Sequence, residues 1–236
     1  MNEDYSLSHG ANDLNISKLL IGYYGYWVKL TYLSVISAVV GMYFALGGNI
    51  GYAIICLVIC GLCDMFDGPV ARLSKRTARE ENYGIQIDAL ADIISFGIFP
   101  VVIGYAVGPH YLSDSQISFE TVLSMGIAAI YLLTALIRLA YFNVIEIELK
   151  NKDVKRTYYE GLPVTFVAII IPLVYSVCLF FDISLSSIYD VMLLLTSVAF
   201  VIRIKVPKLK GRQLFIFLLI GLPIIIYLFW NIGARI

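Results

Sequence analysis

Seven apolar runs separated by short polar loops restrict this 236-residue chain to a membrane-spanning fold. They cover residues 29–46, 49–72, 84–108, 119–145, 163–182, 186–203 and 212–231. Each is close to the roughly 20 residues that a helix needs to cross about 30 Å of hydrocarbon. Lipid offers no partner to an unpaired backbone N–H or C=O, so such runs must be helical. A soluble domain is excluded by the composition, which is 60% hydrophobic and 14% charged, with mean hydropathy +0.85. The expected fold is an all-α integral membrane protein, a polytopic bundle of about seven transmembrane helices in which a six-helix core is joined by one more. One transmembrane domain occupies residues 29–236. Residues 1–28 form a cytoplasmic N-terminus with an interfacial amphipathic helix, because Ile16, Leu19, Leu20, Tyr23, Tyr24 and Trp27 recur at helical spacing. The first 14 residues carry Glu3, Asp4 and Asp13 rather than a basic leader, so no cleavable signal is expected.

Basic residues set the orientation. Arg72, Lys75, Arg76 and Arg79 follow the second run; Lys150, Lys152, Lys155 and Arg156 follow the fourth; Arg203, Lys205, Lys208, Lys210 and Arg212 follow the sixth. The alternate loops, 47–49, 109–118 and 183–186, contain no Lys or Arg. By the positive-inside rule the basic loops and the N-terminus face the cytoplasm, and seven spans put the C-terminus outside. The expected location is the cytoplasmic membrane.

Four aspartates break the apolar pattern. Asp64 and Asp67 close the second run, and Asp88 and Asp92 open the third. Residues three or four apart share a helix face, so each run presents a carboxylate pair at its cytoplasmic end. Packed together, the pairs gather four carboxyl groups in one pocket, which is untenable without cations. Hard divalent ions such as Mg²⁺ or Mn²⁺ prefer carboxylate oxygens, and two of them about 4 Å apart can clamp a phosphoryl group. Gly68, Ala71 and Gly84 leave room for a ligand to approach the helix backbones, while Arg72, with Lys75 or Arg76, can offset diphosphate charge. Pro69 is expected to bend or restart its helix. Cys56, Cys60 and Cys63 lie on one helix face without a neighbouring His, so packing is preferred over zinc or a disulfide.

In order, these residues read Asp64-x2-Asp67-Gly68-x2-Ala71-Arg72-x11-Gly84-x3-Asp88-x3-Asp92. This pattern resembles the signature of the CDP-alcohol phosphotransferases, integral membrane enzymes that build phospholipid head groups. All eight signature residues are present, and only the stretch between Arg72 and Gly84 is longer than is common in the family. The resemblance implies two divalent cations, Mg²⁺ or Mn²⁺, held by Asp64, Asp67, Asp88 and Asp92, with Asp92 also the general base. It implies a CDP-diacylglycerol site made by Asp64, Gly68, Ala71, Arg72, Lys75, Arg76, Gly84 and Asp88, and a homodimer in the membrane. A cation or proton transporter also displays buried carboxylates. It has no use for Gly68, Ala71, Arg72 and Gly84 at this spacing.

Three further segments, IDALADIISFGIFP at 87–100, RLAYFNV at 138–144 and YYEGLPV at 158–164, look like those of the membrane-type phosphatidylserine synthases within that family. They imply L-serine as acceptor, with phosphatidylserine and CMP as products; glycerol 3-phosphate, inositol phosphate and choline are the alternatives. Serine carries both charges, so Arg138, the single Arg or Lys between Val122 and Asn143, is a candidate for its carboxylate. Asn143 and Glu160 are weaker candidates for the same acceptor site. Membrane lipids are expected partners and nucleic acid is not.

Overall fold

The computed structural model describes residues 21–108, 118–151, 158–203 and 205–207. Among them six helices form the body: α1 (Lys29–Leu46), α2 (Ile50–Arg72), α3 (Ala78–Val107), α4 (Phe119–Asn151), α5 (Val167–Phe181) and α6 (Leu185–Val201). The first five, with short 3₁₀ turns leading into α1 and α5, are long and apolar enough to cross a membrane; the apolar part of α6, Ile188–Val201, is shorter. The seventh run, 212–231, lies outside the described residues, as do residues 1–20.

Small side chains bring α1 and α2 together. Thr31, Ser34, Ala38, Gly41 and Ala45 recur every three or four residues and are all buried, making a stripe against which α2 packs extensively. Helices in lipid associate by such close contact, since there is no water to expel. Ser37 Oγ donates to the Cys56 carbonyl at 3.0 Å, and Cys60 Sγ donates to the Ser34 carbonyl at 3.3 Å. Cys56, Cys60, Cys63 and Cys178 are all free and buried, in keeping with packing.

Four local expectations are corrected. The anticipated interfacial helix does not continue through Ile21–Gly25, which is irregular; Gly22 has φ +123°, and helix begins only with the 3₁₀ turn Tyr26–Val28. Trp27 is buried rather than anchoring at an interface, because it packs on Tyr83 and under the Arg76 guanidinium. Helix α2 runs through Pro69 to Arg72 without restarting. Pro69 supplies no N–H, so the Met65 carbonyl loses its helical donor without the helix ending. Helix α3 starts six residues before the apolar run because Thr77 and Glu80 form a capping box. The Glu80 amide donates to Thr77 Oγ1 at 3.3 Å and the Thr77 amide to Glu80 Oε2 at 2.8 Å.

Directly after Asp92, α3 widens into a π-helical segment, Ile93–Ile98, before resuming α geometry. Pro100 cannot donate to the Phe96 carbonyl, and Tyr131 of α4 fills that vacancy, its hydroxyl donating to Phe96 O at 2.6 Å. Tyr189 of α6 donates to the Pro100 carbonyl at 2.8 Å. Both tyrosines are fully buried, so α4 and α6 are fastened to the irregular part of α3 by bonds shielded from solvent. Ser124 of α4 bonds to Asp190 of α6 and joins those two helices again.

The all-helical expectation needs one addition. After α4 and α6 the chain forms a two-stranded antiparallel ribbon, β1 (Tyr158–Glu160) with β2 (Lys205–Pro207), in the register Tyr158 to Pro207 and Glu160 to Lys205.

A carboxylate cluster between two helices

The two aspartate pairs, one on each helix, meet across the helices. Asp64 faces Asp92 and Asp67 faces Asp88, each within hydrogen-bonding reach. Antiparallel packing produces this pairing, since a step along α2 is matched by a step back along α3. The deeper rung is 64 with 92; the rung nearer the α2–α3 turn is 67 with 88. Carboxylate oxygens of Asp64, Asp88 and Asp92 all lie within 4.8 Å of one another. Three hard oxygen donors at that separation fit a divalent cation, and an ion between them removes the repulsion that otherwise opposes the arrangement.

Helix separation makes the space. Helix α2 packs against the Ile93–Val107 part of α3 more than against Ala78–Asp92, so the two helices diverge towards their shared turn. A cavity of about 470 Å³ opens beside the cluster, lined by Asp64, Gly68, Arg72, Asp88 and Asp92 and closed on the far side by Arg138, Phe142, Thr165 and Phe166. Met65, whose carbonyl Pro69 releases, also lines it. A smaller cavity of about 140 Å³ lies on the other side of Asp88, between Trp27, Asp67, Ala71, Arg76 and Gly84. Gly68 and Asp88 line both cavities, so the two adjoin at these residues. A Cβ on Gly68 would touch only Arg72 Nη2, at 3.9 Å, so this stretch of helix backbone faces open space.

The cations differ in their surroundings. Arg72 is exposed at the end of α2 and lines the large cavity. Arg76 is half-buried over Trp27, 5.4 Å from the ring centroid, and its Nε is shielded from solvent with no hydrogen-bond partner. An unpaired buried donor on a cation is costly unless an anion completes it. Arg138 is buried at 6% exposure within α4. Its Nε donates to the Leu162 carbonyl at 3.3 Å and its guanidinium lies 5.4 Å from the Phe142 ring centroid.

Of the candidate residues, Asp64, Asp67, Gly68, Ala71, Arg72, Arg76, Gly84, Asp88, Asp92 and Arg138 border one cavity or the other. Lys75 and Asn143 line neither. Lys75 is exposed in the turn after α2, and Asn143 stands one position round the helix from Phe142, which takes the place on the wall. Glu160 lies in β1, its backbone opposite Lys205. Trp27, Phe142 and Thr165 are wall residues that sequence reasoning did not assign. The YYEGLPV similarity pointed to the neighbourhood of Thr165, and no local signal marks Trp27.

Comparison with known proteins places these features. The family model described as CDP-alcohol phosphatidyltransferase matches residues 28–203. The CDP-diacylglycerol–serine O-phosphatidyltransferase of Saccharomyces cerevisiae is 36% identical over 124 residues, 51% of this chain and 40% of that protein. The Helicobacter pylori protein of the same name is 28% identical over 182 residues, 72% of this chain and 68% of its own length. An archaetidylserine synthase from Methanothermobacter thermautotrophicus is 25% identical over 182 residues, covering 77% and 69%. The match spans only about two fifths of the yeast protein and of its Mycobacterium leprae counterpart.

Proposed function

The chain belongs to the CDP-alcohol phosphatidyltransferase family, and from that premise we propose that it transfers the phosphatidyl group of CDP-diacylglycerol to the hydroxyl of L-serine, giving phosphatidylserine and CMP. One observation carries the acceptor: a single cavity holds the carboxylate cluster at one side and the buried Arg138 at the other. Serine needs both, a base for its hydroxyl and a cation for its carboxylate. The names of the yeast, Helicobacter and archaeal relatives support the same alcohol.

Asp64, Asp67, Asp88 and Asp92 hold two divalent cations, Mg²⁺ or Mn²⁺. When bound, these stabilise charge on the diphosphate and on departing CMP. Arg72 and Arg76 offset the diphosphate from either side, and the unpaired Arg76 Nε supplies a ready donor. Ala71 and Gly84 line the smaller cavity, which takes the nucleotide, leaving the larger one for the acceptor and the lipid-linked phosphate. Asp92 takes the hydroxyl proton of serine; the oxygen attacks the phosphorus bearing the diacylglycerol group, and the bond from that phosphorus to CMP breaks. Asp92 is suited to this role because it both belongs to the carboxylate triad and lines the larger cavity. Arg138 binds the serine carboxylate.

The same reading puts the site on the cytoplasmic side of a multi-pass membrane protein, supported by the basic loops after α2, α4 and α6, and pairs the chain as a homodimer. The decisive experiment incubates purified protein with CDP-diacylglycerol and Mg²⁺ or Mn²⁺ and follows CMP with serine, glycerol 3-phosphate, inositol phosphate or choline added in parallel. Serine alone should release CMP, and chelation should abolish the release reversibly. CMP release with another alcohol and not serine overturns the acceptor; none with any alcohol overturns the enzyme and favours ion transport.

A further inference from the structure

Gly161 occupies a junction that the catalytic reading does not use. It is buried, with φ +77°, a conformation that side chains with a Cβ rarely adopt. A Cβ there would lie 2.9 Å from the Phe200 carbonyl oxygen, 3.2 Å from that of Ile202 and 3.4 Å from Arg138 Nε. The first is closer than such atoms pack, and backbone oxygens at a helix end cannot swing aside as a flexible side chain can.

The next residue ties the same three parts together. The Leu162 amide donates to the Ala199 carbonyl at 3.1 Å, and the Leu162 carbonyl accepts from Arg138 Nε at 3.3 Å. Ala199 and Phe200 belong to the last turn of α6, whose carbonyls have no donors within the helix. One peptide segment therefore satisfies the end of α6 with its N–H and orients Arg138 of α4 with its C=O. Four residues of the same segment, Pro163, Val164, Thr165 and Phe166, then line the large cavity.

We propose that Gly161 is a positioning residue for acceptor selection: by letting the chain pass between the end of α6 and Arg138, it sets where the Arg138 guanidinium stands in the cavity. The inference rests on the assignment of Arg138 to the serine carboxylate. Gly161 touches no substrate. Its effect reaches the reaction through the Leu162 carbonyl, so it should alter recognition of the acceptor and leave the nucleotide end of the site unchanged.

The test is steady-state kinetics of Gly161→Ala in the full chain, with KM measured separately for serine and for CDP-diacylglycerol. The apparent serine KM should rise about tenfold while kcat and the CDP-diacylglycerol KM stay within about twofold. Preference for serine over ethanolamine, which lacks only the carboxylate, should fall by a similar factor. Arg138→Lys keeps the charge but removes Nε, so it cuts the same link from the other side. The double variant should then be no worse than the poorer single one, because both changes remove one interaction. Equal effects on both substrates, or additive effects in the double variant, overturn the proposal in favour of a purely structural glycine. Should Gly161→Ala fail to fold, Gly161→Asn makes the same comparison, since Asn tolerates positive φ while still placing a Cβ against Phe200. Failure of both to fold also overturns it. A wild-type chain that releases no CMP with serine removes the acceptor assignment and this inference with it; a wild-type chain that does, with variants unchanged, removes this inference alone.

Discussion

Helix α2 is two different objects along its length. From Ala53 to Cys60 it is sealed against its neighbours: Ala53, Ile54, Leu57 and Cys60 are fully buried, facing Phe99, Ile103 and the small-residue stripe of α1. From Asp64 to Arg72 it diverges from α3 and borders two cavities. Sequence chemistry explains the difference. Small and apolar side chains allow dry contact in the first half, whereas in the second Asp64 and Asp67 face Asp88 and Asp92 of α3, and the four carboxylates oppose closure until something of opposite charge occupies the gap. Cohesion and chemistry are thus separated by about one helical turn, with the Ser34–Ser95 hydroxyl pair, 3.0 Å apart and buried, at the border. The lesson is that the site borrows its rigidity from the sealed half while its own walls repel one another.

Substitutions in the two halves should therefore fail in different assays. The largest expected effect is Asp92→Asn, which should lower kcat by about 10²–10⁴-fold while CDP-diacylglycerol binding and, through Asp64, Asp67 and Asp88, cation binding stay largely measurable; near-normal turnover would remove Asp92 as the base. Next is Gly41→Ala in the α1 stripe that packs against the sealed half. Its Cβ would stand 2.2 Å from the Phe99 ring and 2.8 Å from Cys56 Cβ, so thermal unfolding should show a loss of about 1–3 kcal/mol with both KM values unchanged. A kinetic defect without a stability loss would erase the distinction between the halves. Asp67→Asn should need about tenfold more cation for half-maximal activity and yet unfold at a higher temperature in chelator, because it removes one repelling charge from the open half. A lower unfolding temperature would show that Asp67 supports the fold instead. Smallest is Gly84→Ala. Its Cβ would meet Trp27 at 3.2 Å and Arg76 Nη1 at 3.3 Å, side chains that can yield, so the CDP-diacylglycerol KM should rise only a few-fold, with the serine KM unaffected. A serine-selective change would move the nucleotide out of the smaller cavity.

How far the molecule could be read in advance depended on the range of the interaction. Apolar runs at 29–46 and 49–72 predict α1 and α2 to within a residue, because lipid forces every such run into a helix. The start of α3 escaped the hydropathy pattern since Thr77 and Glu80 are polar, although their spacing was a legible cap. Arg138 stood out as a lone cation in an apolar run. Trp27 did not stand out as a wall residue, because its partners Arg76 and Tyr83 are about fifty positions away and nothing local records their approach. Asn143 looked as near to the acceptor as Phe142, and only the rotation of α4 separates them.

By itself the sequence determined the membrane-spanning helices, the carboxylates that crowd one site and the family to which the chain belongs. These follow from local rules: the length of apolar runs, the spacing of residues on one helix and the cost of charge in lipid. Tertiary structure decided which aspartate faces which, where the helices part, and how Gly161 and Leu162 bring the end of α6 to Arg138. Those features arise from the antiparallel register of α2 and α3 and from contacts between distant segments, which no periodicity along a single helix encodes.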